Sequence, residues 1–311
     1  MNILITGASG FIGSYLFKFF NKKGFNVYGL VRKKPSIEYF NKFNNKLIIS
    51  DLNDLKKLQK KIPNKIDVII HSGASNDQDT NKDVSQAYKT NIYGTRNICE
   101  IAKIKNVKKF FYFSVLQVYG RELIGKITEN SKINCDNDYS LTHYLAENIC
   151  EKYSKTINTE FSIMRLGYMF GCPIDKKIDR KTLIPFIFCK QAIEEKEITL
   201  ASKGKAQRDF VSLKTLGLII EKKIIKKIKN FEILNFVSGF SFSMKEIAQI
   251  VSLEASKILK TNVQVKYNTK SKDKNNIFKV FSKIKLYKKK EYLLSELKIE
   301  VRKLLIMLNE N

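Results

Sequence analysis

The sequence predicts an α/β fold: a doubly wound parallel sheet followed by a smaller C-terminal portion. Three observations lead there. The first thirteen residues, MNILITGASGFIG, join a strand-like run to three spaced glycines and then to an amphipathic run. Short β-branched and aromatic runs recur between helix-length segments, the pattern of parallel βαβ units. Beyond about Pro173 this alternation weakens into shorter elements.

The opening stretch is the most specific. Asn2 to Thr6 suits a buried strand, Gly7-x-x-Gly10-x-x-Gly13 follows without a spacer, and Phe11 to about Phe20 reads as a helix. Glycines permit a tight turn and close backbone approach to a ligand. The first N–H groups and positive dipole end of the helix favour a phosphate. A dinucleotide pyrophosphate is the expected occupant, held at Gly7, Ser9, Gly10, Phe11, Ile12 and Gly13. Asn26 to Leu30 is the second strand, and Arg32 just beyond it stands where an arginine accepts the extra phosphate of NADP, so NADP is favoured over NAD. Leu47 to Ser50 is the third strand, followed by Asp51 and Leu52, where an acid suits the adenine amine. Val68 to His71 is the fourth; Ser72, Gly73 and Ala74 after it are small enough for a cofactor to lie against the backbone. Helical periodicity runs from about Val84 to Lys103 and carries Asn91. Phe110 to Ser114 is the fifth strand, residues 115–138 lack periodicity, a helix begins near Tyr139, and Ser162 to Leu166 is a further strand. Gly167 to Pro173, Ala201 to Asp209 and Ser271 to Asn276 read as loops, and Leu293 to Leu308 as a final helix.

At 311 residues, with 43% hydrophobic residues, the chain is long enough for a sizeable core, and no apolar run is long enough to span a bilayer. The N-terminus opens on a strand and a glycine turn rather than on basic residues and an apolar segment, so the cytoplasm is the expected compartment. Cys99, Cys135, Cys150, Cys172 and Cys189 are scattered, and with only His71 and His143 available no metal cluster can be written; free thiols in a reducing compartment are expected. The net charge of +27 raises a nucleic-acid reading, yet the lysines are dispersed among Ile, Leu and Asn. The expectation is a general attraction to anionic ligands, with no specific nucleic acid and no membrane as partner.

Taken together, these pieces resemble the extended short-chain dehydrogenase/reductase family, the group containing NAD(P)-dependent sugar-nucleotide epimerases and dehydratases. The motifs carrying the resemblance are TGASGFIG, Asp51-Leu52, His71 to Ala74, NIYGTRN around Asn91, Val118-Tyr119-Gly120, and Tyr139 with Glu147 eight residues on. Arg165, QRDFV from Gln207 and Asn235 to Gly239 with Ser243 to Glu246 complete it. The resemblance implies a Rossmann-type sheet over residues 1–172, a mainly substrate-binding portion over 173–311, a nucleotide-linked sugar or related phosphate-bearing substrate, and a homodimer packed through the helices near 84–103 and 139–153.

The resemblance also implies a catalytic Ser or Thr, Tyr and Lys, and here the chain departs. Tyr139 stands at the tyrosine position, but four residues on is His143, and the hydroxyl position is Val115, with Ser114 one residue earlier on the opposite strand face. A protonated His143 would favour the deprotonated phenol much as an ammonium does, although an imidazole of ordinary pKa is mostly neutral at neutral pH. Tyr139, His143 and Ser114 are therefore the candidate catalytic residues. Arg208 matches the diphosphate-binding arginine, with Gly204 and Lys205 before it; Tyr168 replaces an expected asparagine, and Lys214 and Thr215 replace two expected acids. The expected function is an NAD(P)-dependent sugar-nucleotide epimerase, dehydratase or reductase with an atypical site; the alternative is a cofactor-binding relative that has lost the chemistry.

Overall fold

The computed structural model describes residues 1–178, 183–268 and 278–310. The expected loop at 271–276 lies outside them. The chain forms two compact units interleaved along the sequence: unit 1 is Met1–Arg121, Ser131–Arg165 and Gly217–Leu234, and unit 2 is Glu122–Asn130, Leu166–Leu216 and Asn235–Asn311.

The elements in order are β1 (Asn2–Thr6), α1 (Phe11–Lys22), β2 (Asn26–Val31), β3 (Leu47–Ile49), α2 (Leu55–Lys61) and β4 (Val68–His71). Next come α3 (Asp77–Lys82), α4 (Val84–Tyr88), α5 (Gly94–Ile104), β5 (Lys109–Val115), β6 (Gly125–Ile127), α6 (Asp138–Ser154), β7 (Glu160–Leu166) and β8 (Tyr168–Phe170). Then follow α7 (Phe186–Glu194), β9 (Glu197–Leu200), β10 (Gln207–Ser212), α8 (Leu213–Ile225) and β11 (Phe231–Phe236). The last are β12 (Ser241–Ser243), α9 (Met244–Leu259), β13 (Gln264–Tyr267), β14 (Phe278–Val280) and α10 (Lys290–Asn309). The central sheet has seven strands in the order β11-β7-β5-β4-β1-β2-β3, with parallel registers from β5 through β4, β1 and β2 to β3. Chain order reverses between β1 and β4, the switch point where doubly wound sheets bind ligands. Leu4, Ile69, Phe110 and Tyr112 face Ile98, Ile101, Ala146 and Cys150 in one apolar cluster of unit 1.

Three expectations need correction. The helix expected over 84–103 is α4 and α5 joined by a π turn, Lys89–Tyr93. The turn inserts one residue, and the Thr95 hydroxyl donates to the Asn91 carbonyl at 2.6 Å. The stretch from Gly167 to Pro173 is not all loop: β8 pairs with β10, a partner too distant in sequence for local pattern to reveal. The charged loop likewise stops at Ala206, where β10 begins.

Unit 2 is organised on β10, which runs between β8 and β12, with Phe210 packed beside Tyr168 and Phe242. The next residue back, Asp209, is buried and accepts from Ser238 N and Oγ (2.7 and 2.8 Å) and Gly239 N (2.8 Å), pinning the 237–240 turn to the strand. Burial outweighs those three donors and raises its carboxyl to about 7. The folded state therefore holds a proton that the unfolded chain releases near its ordinary value of about 3.9. Stability from this group is full below about pH 4 and falls as pH rises through about 7. Urea denaturation at about pH 5 and about pH 8 should show that fall, and Asp209→Asn should flatten it while lowering stability at both by about 1–3 kcal/mol.

Candidate active site

The glycine turn is built for close approach. Gly7 has φ +63°, and a Cβ there would lie 2.7 Å from Gly73 Cα; one on Gly13 would lie 2.2 Å from the Gly7 carbonyl oxygen. Gly10 caps α1 and is exposed, with only the Gly7 carbonyl near a hypothetical Cβ, so the space before the helix is open to a phosphate. Ser9 and Ile12 are half-buried beside it and Phe11 is buried below. These residues fit a dinucleotide pyrophosphate.

The neighbouring strand ends are tied together by hydrogen bonds that run in one direction. Gly73 N–H donates to Thr6 Oγ1 at 3.0 Å, and Ser72 Oγ donates to the Thr6 carbonyl at 2.7 Å. Thr6 Oγ1 lies 2.6 Å from His71 Nδ1, and His71 Nε2 lies 3.0 Å from Thr95 Oγ1. Thr95 already donates to the Asn91 carbonyl, so it accepts from Nε2–H; Nδ1 then accepts from Thr6. His71 is thus a neutral structural ring, and burial, with His143 nearby, lowers its pKa to about 3. Asn91 is the junction: its Oδ1 accepts from Ser75 N at 2.7 Å and its Nδ2 donates to Thr142 Oγ1 at 3.0 Å. Thr142 in turn donates to the Tyr139 carbonyl, which links the Ala74 loop to the turn of α6 bearing the tyrosine.

The other candidate cofactor residues lie at strand ends. Arg32 is exposed directly after β2, and among the described residues no carboxylate pairs with it. Asp51 is half-buried and its Oδ1 accepts from Asn53, while the Leu52 carbonyl accepts from Asn97 Nδ2 at 2.8 Å.

Around Tyr139 the structure departs from the expected roles. Tyr139 is half-buried, and its ring meets His143 edge-on, with centroids 4.9 Å apart. His143 is buried, its Nδ1 is 2.9 Å from Tyr112 OH, and burial lowers its pKa to about 4. At neutral pH the ring is therefore uncharged, and burial makes it more so than an ordinary imidazole. Ser114 is buried and donates to Glu147 Oε1 at 2.5 Å, so its hydroxyl is engaged inside the unit. Val115 occupies the other face of β5.

Glu147 belongs to a network that local pattern did not reveal. Arg165 donates to it through Nε (3.0 Å) and Nη2 (2.6 Å), and Arg165 Nη1 donates to Tyr119 OH at 2.6 Å. Both charged side chains are almost fully buried. Burial alone would lower the arginine's pKa, but Glu147 raises it further above its ordinary value. In unit 2, the Arg208 guanidinium lies 5.1 Å from the ring centre of half-exposed Tyr168. Gly204 is a buried turn residue with φ +75°, where a Cβ would meet Leu200 at 2.6 Å. Lys205 beside it is exposed.

Glu147→Ala would leave the Arg165 charge buried and unpaired, and should cost about 3–5 kcal/mol in chemical denaturation; Glu147→Gln, which keeps an acceptor, should cost less.

The chain matches the NAD dependent epimerase/dehydratase family over residues 3–215. It is 27% identical over 270 residues to a dTDP-D-glucose 4,6-dehydratase of Dictyostelium discoideum, which covers 79% of this chain but only 60% of that protein. It is 28% identical over 258 residues to a GDP-6-deoxy-D-talose 4-dehydrogenase of Aggregatibacter actinomycetemcomitans, covering 81% and 79% of the two chains. The fold superposes on a UDP-glucose 4-epimerase of Thermotoga maritima with a TM-score of 0.80 at 17% identity, covering 100% of this chain and 99% of that one. A UDP-glucuronic acid 4-epimerase of Bacillus cereus, solved with UDP-glucuronic acid and NAD, gives 0.75 at 22% identity over 100% and 99%. The match across two thirds of the chain, on a sheet whose switch point carries the glycine turn, makes this protein a member of the NAD dependent epimerase/dehydratase family.

Proposed function

We propose that the chain is an NAD(P)-dependent oxidoreductase of nucleotide-linked sugars, working as an epimerase, dehydratase or reductase. The observation that carries this reading is the tether from the Ala74 loop through Asn91 and Thr142 to Tyr139, which couples the phenol-bearing helix to the glycine-turn side of the sheet. The sugars named for the relatives, linked to dTDP, GDP and UDP, support the substrate class.

A bound nicotinamide supplies the hydride acceptor or donor. The residues from Gly7 to Gly13 would hold the pyrophosphate by backbone N–H groups, Asp51 and Leu52 would border the adenine, and Ser72 to Ala74 would line the remainder. Arg32, exposed and without a carboxylate partner among the described residues, would meet a 2′-phosphate, which favours NADP. Tyr139 gives or takes the proton of the sugar hydroxyl as the carbon changes oxidation state. His143 acts as a positioning residue, packing edge-on against the phenol without supplying charge. Arg208, flanked by Tyr168, binds the substrate diphosphate, with Gly204 shaping the loop before it. In the same reading residues 1–172 are mainly the cofactor portion, residues 173–311 mainly the substrate portion, and the working form is a cytoplasmic homodimer joined through the helical stretches 84–103 and 139–153, where Tyr93 is exposed.

Single-turnover nicotinamide absorbance with dTDP-, GDP- and UDP-sugars tests the chemistry. Tyr139→Phe should slow the step by about 10²–10⁴-fold; equal rates would remove Tyr139 from the mechanism. Tight cofactor binding without turnover on any of these sugars would point instead to a relative that has lost the reaction. In fluorescence titration, Arg32→Ala should weaken NADPH by about 10–100-fold and leave NADH unchanged.

A further inference from the structure

The dispersed lysines are gathered by the fold. In unit 1 the strands of the sheet begin along one edge, and a line of backbone hydrogen bonds joins those beginnings. Asn26 N donates to Met1 O, Asp67 N to Asn2 O, Lys108 N to Asp67 O, Glu160 N to Lys108 O and Phe161 N to Asn230 O, each at 2.9–3.2 Å. The turns that enter this edge are the C-terminal ends of the helices. Lys23 there pairs with Glu221, Lys105 donates to Asn64 Oδ1, and Lys109 donates to the Lys226 carbonyl.

Acids on the edge are already engaged: Asp67 accepts from Asn2 N, and Glu160 pairs with Lys109. By contrast, Lys65, Lys103, Lys108, Lys226, Lys227 and Lys229 are exposed, and among the described residues no carboxylate pairs with them. A helix dipole favours a cation within its last turn, but Lys226, Lys227 and Lys229 lie beyond the end of α8. Adjoining these lysines in the chain are two exposed isoleucines, Ile104 after Lys103 at 45% and Ile225 before Lys226 at 75% exposure.

We infer that this edge docks unit 1 onto an anionic phospholipid surface. Lysines on flexible stems suit a diffuse negative surface, and isolated isoleucines among them can enter the acyl boundary. A nucleic acid fits less well, because these turns carry no arginine and no exposed aromatic ring to read or stack on a base. The sequence led to no membrane partner because it showed the lysines only as scattered. The glycine turn lies at the other end of β1, roughly 15 Å away by strand rise, so docking leaves it uncovered. Among the described residues no helix is long and apolar enough to cross a membrane, so the contact is peripheral.

Flotation of the full chain with vesicles of phosphatidylcholine, with and without phosphatidylglycerol, tests this independently of catalysis. Binding is expected only with phosphatidylglycerol and should weaken as salt is raised. The triple variant Lys226→Gln, Lys227→Gln, Lys229→Gln should lower partitioning by about a hundredfold. Ile225→Ser should lower it by about tenfold, with no change in binding to a single-stranded oligonucleotide. Lys56→Gln with Lys57→Gln, at the first turn of α2, should match the parent. Circular dichroism would show each variant folded. Failure of the parent to float with phosphatidylglycerol, or a triple variant that floats equally well, would overturn the inference. So would oligonucleotide binding at physiological salt that is tighter than vesicle binding, which would assign the edge to nucleic acid.

Discussion

The buried pair of Glu147 and Arg165 is the interaction on which the Tyr139 side of unit 1 depends. It locks α6 against β5 and β7, draws in the Ser114 hydroxyl and the Tyr119 phenol, and so sets where the turn bearing Tyr139 and His143 stands. An ion pair away from water is tolerated only when its remaining donors and acceptors are met, and here each charged group has a further polar partner. That requirement explains why Ser114 is engaged internally. The position that would supply a hydroxyl on the other face of the strand is Val115, so the family's three-member arrangement is thinned for reasons that lie in the packing as well as in the sequence.

The two histidines illustrate what burial does to a titratable ring. His71 and His143 are both held neutral, yet they do different work: His71 relays hydrogen bonds between Thr6 and Thr95, and His143 rests between two tyrosines. A lysine in place of His143 would bring a charge on a longer stem. The imidazole instead fills space against Tyr139 and directs its polar edge toward Tyr112, so the phenol stands beside a ring rather than an ammonium.

Much of this was legible from local pattern. The strand from Asn2 to Thr6, the strand from Val68 to His71 and the glycine triplet carry their own geometry, because strand runs, turn glycines and helix faces are written within a dozen residues. Pairing of β8 with β10, and of β6 with β14, was not legible, since each joins segments far apart in the chain through only three paired residues. The same limit hid the site's wiring. Asn91, Glu147 and Arg165 stood out as motif members, but that Asn91 joins Ser75 to Thr142, and that Glu147 takes up Ser114, are facts of tertiary contact. Charge on His143 could not be read either, because its pKa is governed by burial, which spacing does not report.

The interleaving of the two units bears on how the chain comes off the ribosome. β7 lies between β5 and β11, but β11 is made only after β8, α7, β9, β10 and α8 have emerged. Until then β7 presents an unpaired strand edge, and unit 1 waits for the α8–β11 segment while pieces of unit 2 are already available. A nascent chain of this design completes its central sheet late, and the lysines that surround the last strand to join travel with that segment, bringing like charge to an edge that would otherwise invite pairing with another chain.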